Sequence, residues 1–334
     1  MALKIAINGF GRIGRCVTRV IASRDDVELV AVNDMASIEM MLYLLQNDSV
    51  HGPVGEEASI VEGKYLQIGR NRARVFNEKN PENLDFASLG ADVVLECSGL
   101  FLTGALTKHH LAKGVKKVIL SAPTQDLEIP TYVLGVNEHL YGGEPIISNA
   151  SCTTNCLGPI AKIIDEAFGI EKGLMTTIHA YTNGQAIIDA AHGSDMRRSR
   201  AAGVNMVPTT TGAAKAISLV LPNLEGKLHG QSVRVPTPDV SMVDLNVVVK
   251  RPTEKEEISS LFKSYALNEM RGILEVDERY RVSSDFIGSS FSATVADDLI
   301  QVIDGNLIKI MAWYDNEWGY SNRLVEMALY ISQK

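Results

Sequence analysis

In the run ISNASCTTNCLGP, residues 147–159, a cysteine stands where a helix should begin. Asn149 and Ser151 can both cap that helix, and Leu157, Ile160, Ala161, Ile164 and Phe168 share one face, so the spacing predicts a helix from about Cys152 to Phe168. Cys152 then lies in the first turn, where unpaired N–H groups and the dipole favour an anion. The thiolate is the nucleophile, and an unperturbed thiol with pKa ~8.5 is only a few per cent ionised near neutrality. A second group must therefore activate it. Pro159 is expected to disturb the helix, and Cys156, one turn on, reads as a small buried hydrophobe.

Seven histidines are available as the base. His51, His109, His110, His139, His192 and His229 fall in polar or loop-like contexts, whereas His179 ends the strand-like run from Leu174 to Ile178. An imidazole there, facing the cysteine, would make a thiolate–imidazolium pair. A hydrogen-bonded structural histidine is the competing reading. Cys152, Cys156 and His179 also raise a metal site, but C-x3-C without a second pair at zinc-like spacing gives it little support, and no metal is expected. C-x-x-C, H-E-x-x-H, G-x-S-x-G and P-loop patterns are absent from the sequence.

Gly9, Gly11 and Gly14 form G-x-G-x-x-G between the strand-like KIAI and a helix beginning near Arg12, and Asp34 follows the last glycine by 20 residues. These spacings suit a pyrophosphate on a helix N-terminus and a ribose held by a carboxylate. The carboxylate repels a 2′-phosphate, so NAD is preferred to NADP. Cys97-Ser98-Gly99 and Ser121-Ala122-Pro123 each follow an apolar run, at the strand ends where parallel sheets bind ligands. Arg197, Arg198 and Arg200, the stretch Thr209-Thr210-Thr211-Gly212 before a helix, and Arg234 in a strand have the chemistry to hold phosphates.

The elements that must carry these groups divide in texture. Up to about residue 150, short β-branched runs (KIAI, VELVAVN, ADVVLECS, KKVILSA, TYVLGVN) alternate with amphipathic stretches, a βαβ rhythm that predicts a parallel sheet covered on both faces. From Leu174 the strands lengthen and alternate, as in a mixed or antiparallel sheet, interrupted by helices at 212–221 and 254–269 and closed by one around 321–332. The expected fold is α/β: a Rossmann-type dinucleotide-binding domain over residues 1–150, to which a C-terminal helix at about 317–334 returns, and an α+β catalytic domain over 151–316. With 46% apolar and 22% charged residues the chain should fold as a globule. The net charge of −8 argues against a general nucleic-acid or membrane-surface binder. Neither an apolar run long enough to span a bilayer nor a signal-like start is read, and few cysteines suit a reduced, cytoplasmic setting.

The stretches INGFGRIGR, VND, NDSVHG, ISNASCTTNCLGP, TTIHAYT, RRSRAA, PTTTGAAKA, LHGQSVRVPTP and WYDNEWGYS together resemble the phosphorylating glyceraldehyde-3-phosphate dehydrogenase family, over essentially the whole chain. The resemblance implies that Cys152 attacks the aldehyde of glyceraldehyde 3-phosphate, His179 acts as base, and inorganic phosphate releases 1,3-bisphosphoglycerate from a thioester, a step of glycolysis and gluconeogenesis. It implies Thr182 and Arg234 for the substrate phosphate, and Ser151, Thr153, Arg198, Thr211 and Gly212 for the attacking phosphate. For NAD it implies the three glycines with Arg12, Ile13, Asp34, Met35, Ser98, Gly99, Ser121, Asn316 and Tyr320. A homotetramer, built partly through the loop at about 181–206, is implied in the same way.

Two positions depart from the pattern. Ala190-Ala191 replace the bulky pair that often follows the aspartate of NAD-restricted relatives, which leaves room for NADP, and Gly184 lacks a side chain that some relatives place near the substrate phosphate. Erythrose-4-phosphate dehydrogenase is the nearest alternative activity. A cysteine acyl-transferase or hydrolase has no use for the glycine loop with Asp34, and a non-catalytic nucleotide- or nucleic-acid-binding role has only the arginine cluster behind it.

Overall fold

The computed structural model describes residues 2–193 and 195–334; Met1, in the N-terminal stretch read above, and Ser194, in the 181–206 loop, lie outside the described residues. Packing divides the chain into two units. One comprises Met1–Tyr132, Leu140–Ala150 and Ser321–Lys334, the other Val133–His139 and Ser151–Tyr320.

The first unit is built on an eight-stranded sheet of β1 (Leu3–Asn8), β2 (Val27–Asn33), β3 (Ala58–Val61), β4 (Tyr65–Ile68), β5 (Asn71–Phe76), β6 (Val93–Glu96), β7 (Lys117–Leu120) and β8 (Ile146–Ser148). Its order is β3-β4-β5-β2-β1-β6-β7-β8, parallel from β5 to β8 and antiparallel at the β3-β4-β5 edge. Ile5, Ala6, Ile7, Val93, Val94 and Leu95 are fully buried, because crossover helices such as α1 (Arg12–Ala22), α2 (Ile38–Gln46) and α3 (Gly104–Ala112) cover a parallel sheet and make its strands apolar on both faces. β1 pairs with β2 on one side and β6 on the other, so the connections reverse direction around it. The crevice outside such a switch point is where open α/β sheets take ligands.

The second unit holds β9 (Ile170–Ala180), β10 (Val207–Thr210), β11 (Leu228–Val235), β12 (Ser241–Val249), β13 (Leu274–Asp277), β14 (Ala293–Ala296), β15 (Gln301–Ile303) and β16 (Leu307–Tyr314). They form one mixed sheet of order β10-β11-β9-β12-β16-β14-β13, with β15 paired to β16. The helix read from the sequence is present as α4 (Cys152–Phe168), which lies against β9, β12, β14 and β16. α5 (Ala213–Val220) and α6 (Lys255–Leu267) occupy the expected places, and α7 (Trp318–Ser332) starts three residues before the helix read from periodicity.

Pro159 sits inside α4, which still runs from Cys152 to Phe168 as read. An interior proline costs about 3 kcal/mol in a helix, and the burial of Cys156, Leu157, Ile160, Ala161, Ile163, Ile164 and Phe168 offsets it. TYVLGVN is no strand: Gly135 takes a positive φ of 81°, Val133 N donates to the Asn137 side chain at 2.9 Å, and Asn137 N donates back to Val133 O at 3.2 Å. The segment is tied into turns. His110, read as loop-like, is a buried residue of α3.

Candidate functional site

The glycine loop takes the shape that its spacing demands. Gly9 has φ 99°, and an added Cβ would lie 2.5 Å from the Ser98 nitrogen; at Gly14 it would lie 2.1 Å from the Gly9 carbonyl oxygen. Neither contact can be relieved by a side-chain rotation, since both neighbours are backbone. α1 begins at Arg12 with Gly11 as its N-cap and no side-chain cap, so its first N–H groups have no side-chain acceptor from that residue. Asp34 accepts from Phe10 N at 2.7 Å and Ala36 N at 2.9 Å, which fixes its carboxylate beside the loop. The cradle fits a dinucleotide pyrophosphate with its ribose on the carboxylate.

Arg12 is held by an ion pair with Asp48 at 2.5 Å. Burial pushes the Asp48 carboxyl up, but Arg12 and the N–H groups of His51 and Val50 outweigh it and hold the group well below the usual carboxylate range. Ser98 and Ser121 follow β6 and β7 at the carboxyl edge; Gly99 takes φ 72°, and Met35 is exposed beyond β2. Ile13 lies in the first turn of α1. Cys97 hydrogen-bonds Ser121, and burial raises its thiol to about 12, which makes it a poor nucleophile.

In the second unit Ser151 caps α4: its hydroxyl accepts from Thr154 N at 3.1 Å. Cys152 is thereby set in the first turn, half-buried, with its Sγ 3.6 Å from His179 Nε2. The pair read separately from two motifs is brought together. Burial raises the Cys152 thiol, with Arg234 and Thr153 opposing, and burial lowers the His179 imidazole to about 3, with Arg234 adding to the effect. Near neutrality the two are therefore a thiol beside a neutral imidazole rather than the thiolate–imidazolium pair expected from the sequence, with Nε2 placed to take the proton as the sulfur attacks. Cys156 is fully buried, its thiol raised well above the usual range by burial and then by Cys152.

Arg234 on β11 stands opposite His179 on β9 in the parallel register. Its Nη1 lies 2.7 Å from His179 Nδ1 and 3.2 Å from the Ala180 carbonyl oxygen, which is itself 2.7 Å from Nδ1. A carbonyl only accepts, so Ala180 favours a proton on Nδ1 and a bare Nε2 toward the sulfur. A guanidinium only donates, so Arg234 opposes that tautomer.

The remaining candidates are spread over neighbouring loops. Thr153 is buried and its hydroxyl is committed to Tyr314 at 2.9 Å, leaving its backbone N–H to face the helix terminus. Arg198 pairs with Asp195 at 3.4 Å and lies near enough to Arg234 to lower it. Thr211 Oγ1 accepts from Ala213 N at 3.2 Å beside Gly212, the N-cap of α5; Thr182, exposed, closes a turn with Gln185. Asn316 Oδ1 accepts from Ser241 Oγ at 2.6 Å, while that hydroxyl accepts from Ala180 N at 3.1 Å, so the amide is oriented with Nδ2 as its outward donor. Tyr320 is buried in the first turn of α7.

Sequence reasoning did not single out Tyr314, Ser241 or Asp315. Tyr314 joins Thr153 to Thr177 and meets the His179 ring edge-on at 6.0 Å between centroids. Asp315 accepts from Gly288, Glu317 and Trp318 N–H groups and so fixes the backbone on either side of Asn316. Within WYDNEWGYS, the Asp-Asn pair ahead of a helix was the available signal.

The chain was compared with known proteins. Residues 3–104 match the family model described as glyceraldehyde 3-phosphate dehydrogenase, NAD binding domain, and residues 151–316 match that of the C-terminal domain of the same enzyme. The chain is 48% identical over 336 residues to glyceraldehyde-3-phosphate dehydrogenase of Geobacillus stearothermophilus, covering 100% of this chain and 99% of the relative. It is 47% identical to glyceraldehyde-3-phosphate dehydrogenase 1 of Bacillus subtilis with the same coverage. Against the chloroplastic enzyme GAPA1 of Arabidopsis thaliana it is 49% identical over 98% of this chain and 83% of that protein. No helix among the described residues is long and apolar enough to cross a membrane.

Proposed function

The chain belongs to the glyceraldehyde-3-phosphate dehydrogenase family, an NAD-linked oxidoreductase family, and from that premise we propose that it oxidises and phosphorylates glyceraldehyde 3-phosphate through a covalent intermediate on Cys152. The observation that carries the proposal is the 3.6 Å approach of Cys152 Sγ to His179 Nε2 at the N-terminus of α4.

Sulfur attacks the aldehyde carbon as its proton passes to His179 Nε2 and on to the carbonyl oxygen, giving the thiohemiacetal, and the neutral imidazole so restored then takes the hydroxyl proton as the hydride departs. NAD supplies the acceptor for the hydride lost from that carbon, and what remains on Cys152 is a thioester. Inorganic phosphate attacks the thioester carbon, the C–S bond breaks, and the acyl phosphate leaves with the sulfur restored. Covalent capture divides one difficult step into two. Ser151, the Thr153 N–H, Arg198, Thr211 and Gly212 hold the attacking phosphate. Gly9, Gly11, Gly14, Arg12, Ile13, Asp34, Met35, Ser98, Gly99, Ser121 and Tyr320 hold the dinucleotide, and the Asn316 Nδ2 orients its carboxamide.

Arg234 and Thr182 hold the C3 phosphate. An anion that draws Arg234 toward itself also draws it off His179 Nδ1, and the tautomer with a bare Nε2 then prevails. Replacing Arg234 by Gln should raise KM for glyceraldehyde 3-phosphate by about 10- to 100-fold, the worth of one charge-assisted hydrogen bond. Steady-state kinetics with unphosphorylated glyceraldehyde should show a much smaller change. Equal effects on both aldehydes would remove Arg234 from the phosphate site.

A homotetramer is supported by Ile187, Ile188, Met196, Val204 and Met206, all exposed on the single chain within the loop at about 181–206. NAD is preferred over NADP through Asp34, while exposed Ala190 and Ala191 leave room for a 2′-phosphate. The direct test follows NADH and NADPH formation with glyceraldehyde 3-phosphate and erythrose 4-phosphate, with and without phosphate. Turnover with the first aldehyde should depend on phosphate or an analogue. Faster turnover of erythrose 4-phosphate would transfer the assignment to that substrate, and turnover indifferent to phosphate would remove the acyl-phosphate step.

A further inference from the structure

Three central strands of the first unit end in polar residues that are buried and joined side by side. Asn33, Asn8 and Glu96 are the last residues of β2, β1 and β6, and Asn8 pairs in register with both of the others. Asn33 Nδ2 donates to Asn8 Oδ1 at 2.8 Å, Asn8 Nδ2 donates to Glu96 Oε2 at 2.6 Å, and Glu96 Oε1 accepts from Ser98 N at 2.9 Å and Ser98 Oγ at 2.5 Å. Each member stands just ahead of a residue assigned above to the dinucleotide: Asn8 before Gly9, Asn33 before Asp34, Glu96 two before Ser98. His110 of α3, 1% exposed and stacked on Phe86, places Nε2 3.5 Å from Glu96 Oε2 and makes no hydrogen bond among the described residues. Glu96 thus holds the start of the loop from Cys97 to Thr103 through both the N–H and the hydroxyl of Ser98.

The donors and acceptors in this row have only one consistent direction. Asn33 Oδ1 accepts from Glu78 N at 2.9 Å and Asn33 Nδ2 donates to Glu78 O at 3.0 Å, so backbone fixes that amide. Asn33 in turn fixes Asn8, whose Nδ2 must then meet an acceptor at position 96. Ser98 N must meet one there too. A carboxylate satisfies both sides; a glutamine, with one oxygen and one NH2, leaves a donor facing a donor whichever way it lies.

We propose that Asn33, Asn8 and Glu96 form a positioning belt that holds the glycine loop, the Asp34 carboxylate and the Ser98 loop in one mutual geometry for NAD, with Glu96 as its indispensable anion. This rests on the reading above that Asp34 and Ser98 contact the dinucleotide. Buried, fully satisfied networks of this kind specify one arrangement, and an unmatched member is expensive. In Glu96→Gln the dissociation constant for NAD, measured by calorimetric titration, should rise about 10- to 100-fold, since one buried donor loses its partner. The KM for the aldehyde and the rate of Cys152 alkylation without NAD should stay at wild-type values, which general unfolding would not allow.

Asp34→Asn is the companion variant. A weakened NAD complex in Asp34→Asn with none in Glu96→Gln overturns the belt alone, and no loss in either overturns the belt together with the placement of NAD. Should Glu96→Gln fail to fold, the cycle of Asn33→Ser and Ser98→Ala decides. These residues do not share a hydrogen bond in the belt, yet each change removes one side-chain donor from the same row, the Asn33 amide at one end and the Ser98 hydroxyl at the other, so the double variant should lose clearly less than the product of the single losses. Agreement with that product within about twofold, the usual result for independent sites, overturns the proposal.

Discussion

Replacing Cys152 by Ser is expected to cut phosphate-dependent NADH formation by about 10⁴-fold or more, the scale seen when a nucleophile is removed from a covalent mechanism. The fold should survive, because Cys152 is a half-buried first-turn residue and the cap of α4 is the Ser151 hydroxyl. NAD affinity should survive as well, since the glycine cradle and Asp34 are built from residues of β1, α1 and the end of β2. Calorimetric titration with NAD beside the activity assay separates the two effects. A Cys152→Ser protein that kept appreciable turnover would leave the sulfur without its assigned part.

Replacing His179 by Asn should lower kcat by about 10²- to 10⁴-fold, the range for loss of a positioned general base. The pH dependence carries the sharper information. Burial keeps the imidazole unprotonated down to about 3 and raises the thiol, so at neutral pH the thiol proton has an acceptor 3.6 Å away. Acidification puts a second proton on the pair and removes that acceptor; reaction of Cys152 with iodoacetamide should therefore be nearly level across neutrality and decline on the acid side. In His179→Asn the proton must go to solvent. Alkylation should then be slow at neutrality and climb with pH through a thiol pKa above the ordinary value. Identical profiles for the two proteins would show that the imidazole does not serve the sulfur.

Local features were readable in the sequence, and long-range ones were not. Gly9, Gly11 and Gly14 encode a turn and a helix start within one βαβ unit, and Ser151 to Phe168 encodes a capped helix. Both are present as read. TYVLGVN has the apolar alternation of a strand, but Gly135 and the Asn137 side chain turn it, a decision made by two residues that hydrophobicity does not weigh. The β3-β4-β5 edge was passed over because its strands are short and partly exposed, with little periodicity to detect.

The surroundings of the cysteine depend on register. Arg234 reaches His179 only because β9 and β11 are parallel neighbours with those residues aligned. Tyr314 meets Thr153 across 161 positions of the chain, and Ser241 meets Asn316 across 75. No local pattern marks either contact. His110 shows the reverse error: a histidine among polar neighbours in the sequence can face inward once the helix phase is known.

The central claim is an acyl group carried on one sulfur, and mass spectrometry of the protein after reaction without phosphate tests it most directly. With glyceraldehyde 3-phosphate and NAD, and phosphate withheld, a single burst of NADH should accompany a 3-phosphoglyceroyl adduct that maps to the peptide bearing Cys152, and added phosphate should remove it. A burst of NADH with no adduct, or an adduct confined to Cys97 or Cys156, would contradict the account.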